Sequence, residues 1–359
     1  MKPIRVGVVG LGMVAQIMHL PYLKESDDFE IAAVCDISPK LVKKVGDHFG
    51  VEKRCSDIQE MVKSDIDAVF ILTFYHSDAT AAAARAGKHI FCEKPVAFSV
   101  KECDEMLRAV DRAGVTFMVG YMKRFDPGYL HGLKLFNEMK KKGDVRLIRV
   151  HDACFQNDLA IGSMYNIWKY DDIPSRVVKE TNALFEKRVR EALGPAPAYV
   201  NSAYRLLLET ASHDITVLRG AFGDPDRVLH TEIWPKGNWF ASTLDYGGEV
   251  RCLFDIARTA RNWGDENITA YGMTRTVRVN FPNPFHKNAV TTVEDITMND
   301  DSTTFAETHA SNAESFQNEI AHFADCVRKK KSPLTSLEEG RKDTALMTQI
   351  IRKYKAAKS

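Results

Sequence analysis

Short, nearly unbroken apolar runs recur through the first third of the chain, at 4–9, 31–35, 68–72, 89–92 and 116–120. Runs of this length without polar alternation suit strands of a parallel sheet covered on both faces. Helix starts lie between them. Ser38-Pro39 sets a capping side chain before a proline at the first helical position. Asp57 with Glu60, and Ser99 with Glu102, have capping-box spacing. Strand and helix in alternation predict a doubly wound parallel sheet, an α/β domain.

The pattern changes after Arg124. Longer strand-like stretches follow at 145–155, 227–234, 238–246, 249–257 and 275–281. Within 249–257, Val250, Cys252, Phe254 and Ile256 fall on one face, with Arg251 and Asp255 on the other. That is the alternation of a sheet with one buried face. Asp245-Tyr246-Gly247-Gly248 predicts a hairpin turn between two of these strands. Two helices close the chain: Phe316, Ile320, Phe323 and Val327 form an apolar stripe, and Ser336 with Glu339 caps the next helix.

Composition narrows the partners. The 359 residues are 45% apolar and 27% charged, with a net charge of +1. This balance gives neither nucleic acid nor a membrane surface a reason to bind. The longest apolar region, 68–75, is strand-sized, and 4–9 leads in without the apolar core of a signal peptide. Seven scattered cysteines form no C-x-x-C pair and supply neither a disulfide framework nor a zinc signature. A cytoplasmic protein with reduced thiols and no metal is expected.

Gly10-Leu11-Gly12-Met13-Val14-Ala15 is G-x-G-x-x-A between a strand and a helix. The first glycine permits a tight turn, the second lets a pyrophosphate approach the backbone, and the small Ala15 keeps the helix near the sheet. The phosphates would rest on the helix N-terminus around Met13 and Val14. Asp36 ends the second strand, where a carboxylate binds ribose hydroxyls and repels a 2′-phosphate. NAD is therefore the expected cofactor.

Together with Glu93-Lys94-Pro95 and the run from Val119 to Phe125, this turn resembles the glucose–fructose oxidoreductase and inositol 2-dehydrogenase family. The stretch 316–327 is similar to that family's late helix. The resemblance implies a Rossmann domain at 1–124 and a substrate and oligomerisation domain at 125–359. The second would be α+β with an open, mainly antiparallel sheet, and the closing helices could return to the first domain. It also implies a homo-oligomer, whether dimer, tetramer or larger.

Chemistry follows from the same motifs. Lys94, at the carboxyl edge of the sheet, can hydrogen-bond a reacting hydroxyl and then stabilise the carbonyl oxygen that forms. The family's lysine here is catalytic, and that role passes to Lys94. Family members carry Asp-x-x-x-His in the second domain; here Glu209 and His213 have that spacing, one helical face. His213 is then the general base, oriented by Glu209 or by Asp214. Thr73 and His76 correspond to residues that line the nicotinamide side, and Glu93 adjoins them. Tyr121, Arg124 and Asp214 are expected to border the substrate.

All four tryptophans fall in the expected second domain, and Trp168 is a candidate sugar platform. It belongs to a long aromatic insert at 156–205, read as a lid, a pocket wall or an oligomerisation arm. The expected activity is NAD-dependent oxidation of a secondary hydroxyl on a sugar, a glycoside (C3 being one position) or an inositol-type polyol. Two alternatives stay open: tightly held NAD used transiently in epimerisation or elimination, and a non-catalytic sensor of NAD or sugar.

Overall fold

A computed structural model describes residues 2–354, so the extreme ends of the two expected domains lie outside the described residues. The chain forms two compact units that are not consecutive halves. One runs to Tyr121 and also takes Tyr165–Gly194 and Phe316–Thr344. The other comprises Met122–Met164, Pro195–Ser315 and the residues from Ala345 onward. The expected boundary after Arg124 is thus corrected in two ways: it falls after Tyr121, and residues 165–194 leave the second domain for the first.

The first unit is built on six strands: β1 (Ile4–Val9), β2 (Phe29–Cys35), β3 (Lys53–Cys55), β4 (Ala68–Ile71), β5 (His89–Glu93) and β6 (Phe117–Gly120). Their order is β3-β2-β1-β4-β5-β6, and every pairing is parallel. The order reverses beside β1, and ligands bind where the strands' carboxyl ends part at such a reversal. Burial of Val6, Val8, Val69, Ile71 and Ile90 shows why these runs carry no polar alternation. The predicted caps form. Ser38 Oγ accepts from Leu41 N at 3.1 Å, ahead of the helix Pro39–Phe49. Glu102 does not close a reciprocal box with Ser99; it is fully buried and accepts from Phe98 N at 2.9 Å and from Ser77 Oγ.

Helix Ser175–Leu193, inside the predicted insert, lies against this unit. Phe185 packs edge-on to Phe98 with ring centroids 5.1 Å apart. Arg188 reaches Tyr75 Oη and Glu105, both at 3.1 Å. Phe185 and Arg188 thus fix the segment to the six-stranded unit.

The second unit holds an eight-stranded sheet: β7 (Leu147–Cys154), β8 (Arg227–Ile233), β9 (Trp239–Asp245), β10 (Arg251–Arg258), β11 (Asp265–Tyr271), β12 (Arg275–Phe281), β13 (Thr292–Asn299) and β14 (Ser302–His309). The order is β14-β13-β12-β11-β7-β10-β9-β8, antiparallel except where β7 meets β10. The predicted hairpin joins β9 to β10, with Gly247 and Gly248 at positive φ. Helix Pro127–Lys141 lies close on one face: a Cβ at Gly132 would stand 2.2 Å from Val279 Cγ2. Leu253 and Phe305 are exposed on the sheet. Among the described residues no helix is long and apolar enough to cross a membrane.

Candidate active site

The glycine turn at the end of β1 is shaped by what stands beside it. Gly10 has φ +88°, and a Cβ there would lie 2.7 Å from the backbone of Leu72 and Thr73. Only glycine fits that approach. Gly12 is the opposite case: a Cβ built on it meets nothing within 4 Å. The space above Gly12 is the open cradle that a pyrophosphate needs. Met13 and Val14 are half-buried at the mouth of the helix and Ala15 is buried against the sheet. Asp36 spans the turn, accepting from Leu11 N at 2.8 Å and from Ser38 N at 2.9 Å. Its carboxylate therefore stands fixed beside the cradle. These residues fit a bound dinucleotide.

At the edge of β5 the Lys94-Pro95 bond is cis. Glu93 points inward rather than to solvent. Its Oε1 lies 2.7 Å from His19 Nε2, and its Oε2 accepts from Lys94 N at 2.9 Å. His19 pulls the buried Glu93 carboxyl below its ordinary range against the opposing effect of burial. In the same buried cluster, Glu319 is fully enclosed, and burial and then Glu93 push its carboxyl well above the usual value. Lys94 itself is half-buried, held at the strand end by this anchor. His76, expected near the nicotinamide, is buried with Nε2 2.5 Å from Thr73 O and Nδ1 3.3 Å from Val96 O. Burial lowers its pKa. Its ring ties the end of β4 to the turn after β5, while Thr73 Oγ1 donates to Tyr75 O at 2.8 Å.

In the second unit, His213 lies in the first turn of helix Ser212–Phe222, half-buried. The turn before it, Leu207–Ala211, is π-helical and contains Glu209. The i→i+5 spacing there interrupts the continuous α-helical face predicted for Glu209 and His213. The first unit has a second π turn, Ala15–His19, directly after the glycine turn. Such turns recur at functional sites because they re-aim side chains. Glu209 is fixed by Arg205 at 2.6 Å and Arg258 at 3.6 Å.

Three expected substrate contacts are enclosed within the protein. Tyr121 is fully buried. Arg124 is buried and donates to Thr216 O at 3.2 Å, and a Cβ on Gly220 would lie 2.6 Å from its guanidinium. Asp214 is buried and hydrogen-bonds Asp152. Burial raises both carboxyls, and Asp214 raises Asp152 further. Lys123 pairs with Glu266 and lies over the Phe281 ring at 4.8 Å.

Sequence reading missed Lys123, Asp152 and Glu266. Asp152 had a signal: it continues the inward face of Ile148 and Val150, where a carboxylate needs a partner. Glu266 stands opposite it in register on β11, which no pattern had marked as a strand. Scattered spacing also concealed two carboxylate clusters, His19–Glu93–Glu319 and Asp152–Asp214–Glu266. Trp168 lies in the first unit, which corrects its expected place in the second. Its ring stands against His48 at 4.9 Å and under Lys44 Nζ at 5.0 Å.

Residues 4–121 match a family described as an oxidoreductase family with an NAD-binding Rossmann fold. That stretch is thus similar to this oxidoreductase family. A Bacillus subtilis oxidoreductase is 36% identical over 152 residues, 42% of this chain and 44% of the relative. The myo-inositol 2-dehydrogenase of Thermotoga maritima is 34% identical over 128 residues, 35% of this chain and 38% of the relative. The match thus spans less than half the length of these curated relatives. A 3-ketoreductase from Actinomadura kijaniata, solved with NADP and TDP-benzene, superimposes with a TM-score of 0.72 at 18% identity. The superposition covers 98% of both chains, so both units share the fold of that protein.

Proposed function

We propose that this protein is an NAD-dependent dehydrogenase that oxidises a secondary hydroxyl of a cyclic polyol or sugar to a ketone. The observation that carries the reading is the open cradle over Gly12 with Asp36 fixed beside it, in the same unit as a strand-end lysine, Lys94. The 34%-identical myo-inositol 2-dehydrogenase supports the polyol class. The 3-ketoreductase fold neighbour supports ring secondary alcohols such as C3.

Gly10, Gly12, Met13, Val14 and Ala15 would cradle the dinucleotide phosphates and Asp36 its ribose, with Thr73 and Lys94 toward the nicotinamide. Bound NAD supplies the acceptor for the hydride that leaves the substrate carbon. Lys94 donates a hydrogen bond to the reacting oxygen and stabilises it as a carbonyl forms. His213 takes the hydroxyl proton on its imidazole. Glu93 and His76 act beneath this surface, holding the Lys94 turn and the end of β4 in place.

The test is the near-ultraviolet absorbance of reduced nicotinamide during turnover with inositols, free sugars, and O- and C-glycosides. One substrate class should raise it continuously, and Lys94→Ala should lower kcat by about 10²–10³-fold while NAD still binds. A rise that stops at one equivalent of enzyme, or none with any compound despite NAD binding, would refute the dehydrogenase reading.

A further inference from the structure

Residues 165–172 cross the rim of the cofactor cradle and are held there at two separate places. At one, the Gln16 amide donates to Leu11 O at 2.8 Å and to Trp168 O at 3.1 Å, and accepts from Trp168 N at 2.9 Å. At the other, the Asp172 carboxylate sits on the N-terminus of helix Pro39–Phe49. Its Oδ1 accepts from Ser38 Oγ at 2.5 Å and its Oδ2 from Lys40 N at 3.0 Å. The Lys40 side chain adds a favourable charge, and these contacts hold the Asp172 carboxyl below its ordinary range, led by the Ser38 bond. Ser38 Oγ accepts from Leu41 N, so its one proton is committed to Asp172.

This helix terminus is an anion seat: the Lys40 N–H, the Ser38 hydroxyl and the charge of the Lys40 side chain all favour an anion there. It begins two residues after Asp36, the carboxylate placed for the adenosine ribose. A phosphate esterified to the ribose 2′-hydroxyl would project from Asp36 toward Ser38 and Lys40. We propose that Asp172 occupies the seat a 2′-phosphate would need, and so makes the protein select NAD over NADP. The inference rests on the cofactor role assigned above to the Gly10–Ala15 turn and Asp36. It deepens that role by naming a selectivity residue 136 positions beyond the dinucleotide motif. Its chemistry is simple. The 2′-phosphate must either expel a carboxylate from its donors or lie against two carboxylates, Asp36 and Asp172. The 2′-hydroxyl of NAD does neither.

Because Gln16 tethers the segment independently, Asp172→Ala empties the seat without removing the strap. The experiment measures Kd for NAD and for NADP by calorimetry on the full chain, with a thermal melt of each variant as a folding check. Wild-type protein should bind NAD at least about tenfold more tightly than NADP. Asp172→Ala should tighten NADP about tenfold or more while NAD stays within about twofold. Asp172→Asn, which keeps the size and loses the charge, should move NADP the same way. An NADP affinity unchanged in both variants while NAD binds normally would overturn the proposal. So would equal weakening of both dinucleotides, which would make Asp172 a structural tie alone. A wild-type protein that binds neither dinucleotide would instead overturn the cofactor reading itself, and this inference with it.

Discussion

Two glycines two residues apart should respond to the same substitution in opposite ways. In Gly10→Ala the new methyl group meets the backbone of Leu72 and Thr73 at 2.7 Å, and alanine must adopt φ +88°. The strained conformation costs about 1–3 kcal/mol and the forced displacement of a packed strand end a similar amount. Together they predict a loss of about 2–6 kcal/mol in the first unit, a melting temperature lower by roughly 4–24 °C. Gly12 is outside the positive-φ set, and its Cβ would meet nothing within 4 Å. Gly12→Ala should therefore melt at or slightly above the wild-type temperature, since alanine restricts the unfolded chain. Its methyl group would nevertheless project into the cradle and weaken NAD by about tenfold or more, about 1.4 kcal/mol. Differential scanning fluorimetry and calorimetric titration read the two quantities separately. A Gly10→Ala protein that melts within 1–2 °C of wild type, on the scale of about 2–4 °C per kcal/mol, would refute the steric argument. A Gly12→Ala protein that binds NAD as tightly as wild type would refute the cradle.

Two further expectations concern buried and catalytic groups. His213→Asn should lower kcat by about 10²–10⁴-fold with NAD affinity unchanged, because only proton removal is lost; a rate within twofold of wild type would exclude His213 as the base. Glu319 is a carboxyl raised in the folded state above its ordinary value of 4.5, by burial and then by Glu93. The folded protein holds that proton more tightly than the unfolded chain. Its stability contribution is therefore full below pH 4.5 and is lost as pH rises toward the folded value. Glu319→Gln cannot ionise, so urea midpoints from pH 4.5 to 8 should fall less for the variant than for wild type; parallel curves would contradict the assignment.

Burial decided which strands were legible. The sequence marked β1, β2, β4, β5 and β6 because most of their residues are apolar and buried, with polar side chains such as Arg5, Glu30 and His89 confined to positions at or next to the strands' ends. β3 is a three-residue edge strand beginning Lys53-Arg54, with too little apolar surface to register. β14 is exposed along nearly its whole length and reads Ser-Thr-Thr-Phe-Ala-Glu-Thr-His, so no buried period exists to detect. β11 was hidden by Asp265-Glu266-Asn267 at its start. Glu266 is there to meet Lys123, a partner 143 residues away.

What the sequence determined by itself was the local chemistry of the cofactor motif. A glycine forced by a turn, a glycine left open for phosphate and a carboxylate at the next strand end are short-range requirements, written within 27 residues from Gly10 to Asp36. The caps at Ser38, Asp57 and Ser99 are local for the same reason: each side chain bonds a backbone group two or three residues on. Only the tertiary structure decided that Trp168 and Asp172 return to that motif, that Glu93 turns inward to His19, and that Asp152 faces Asp214. Each of these places a polar group where its partner is remote in sequence. A periodicity records which face is buried, but not what waits on the other side of the contact.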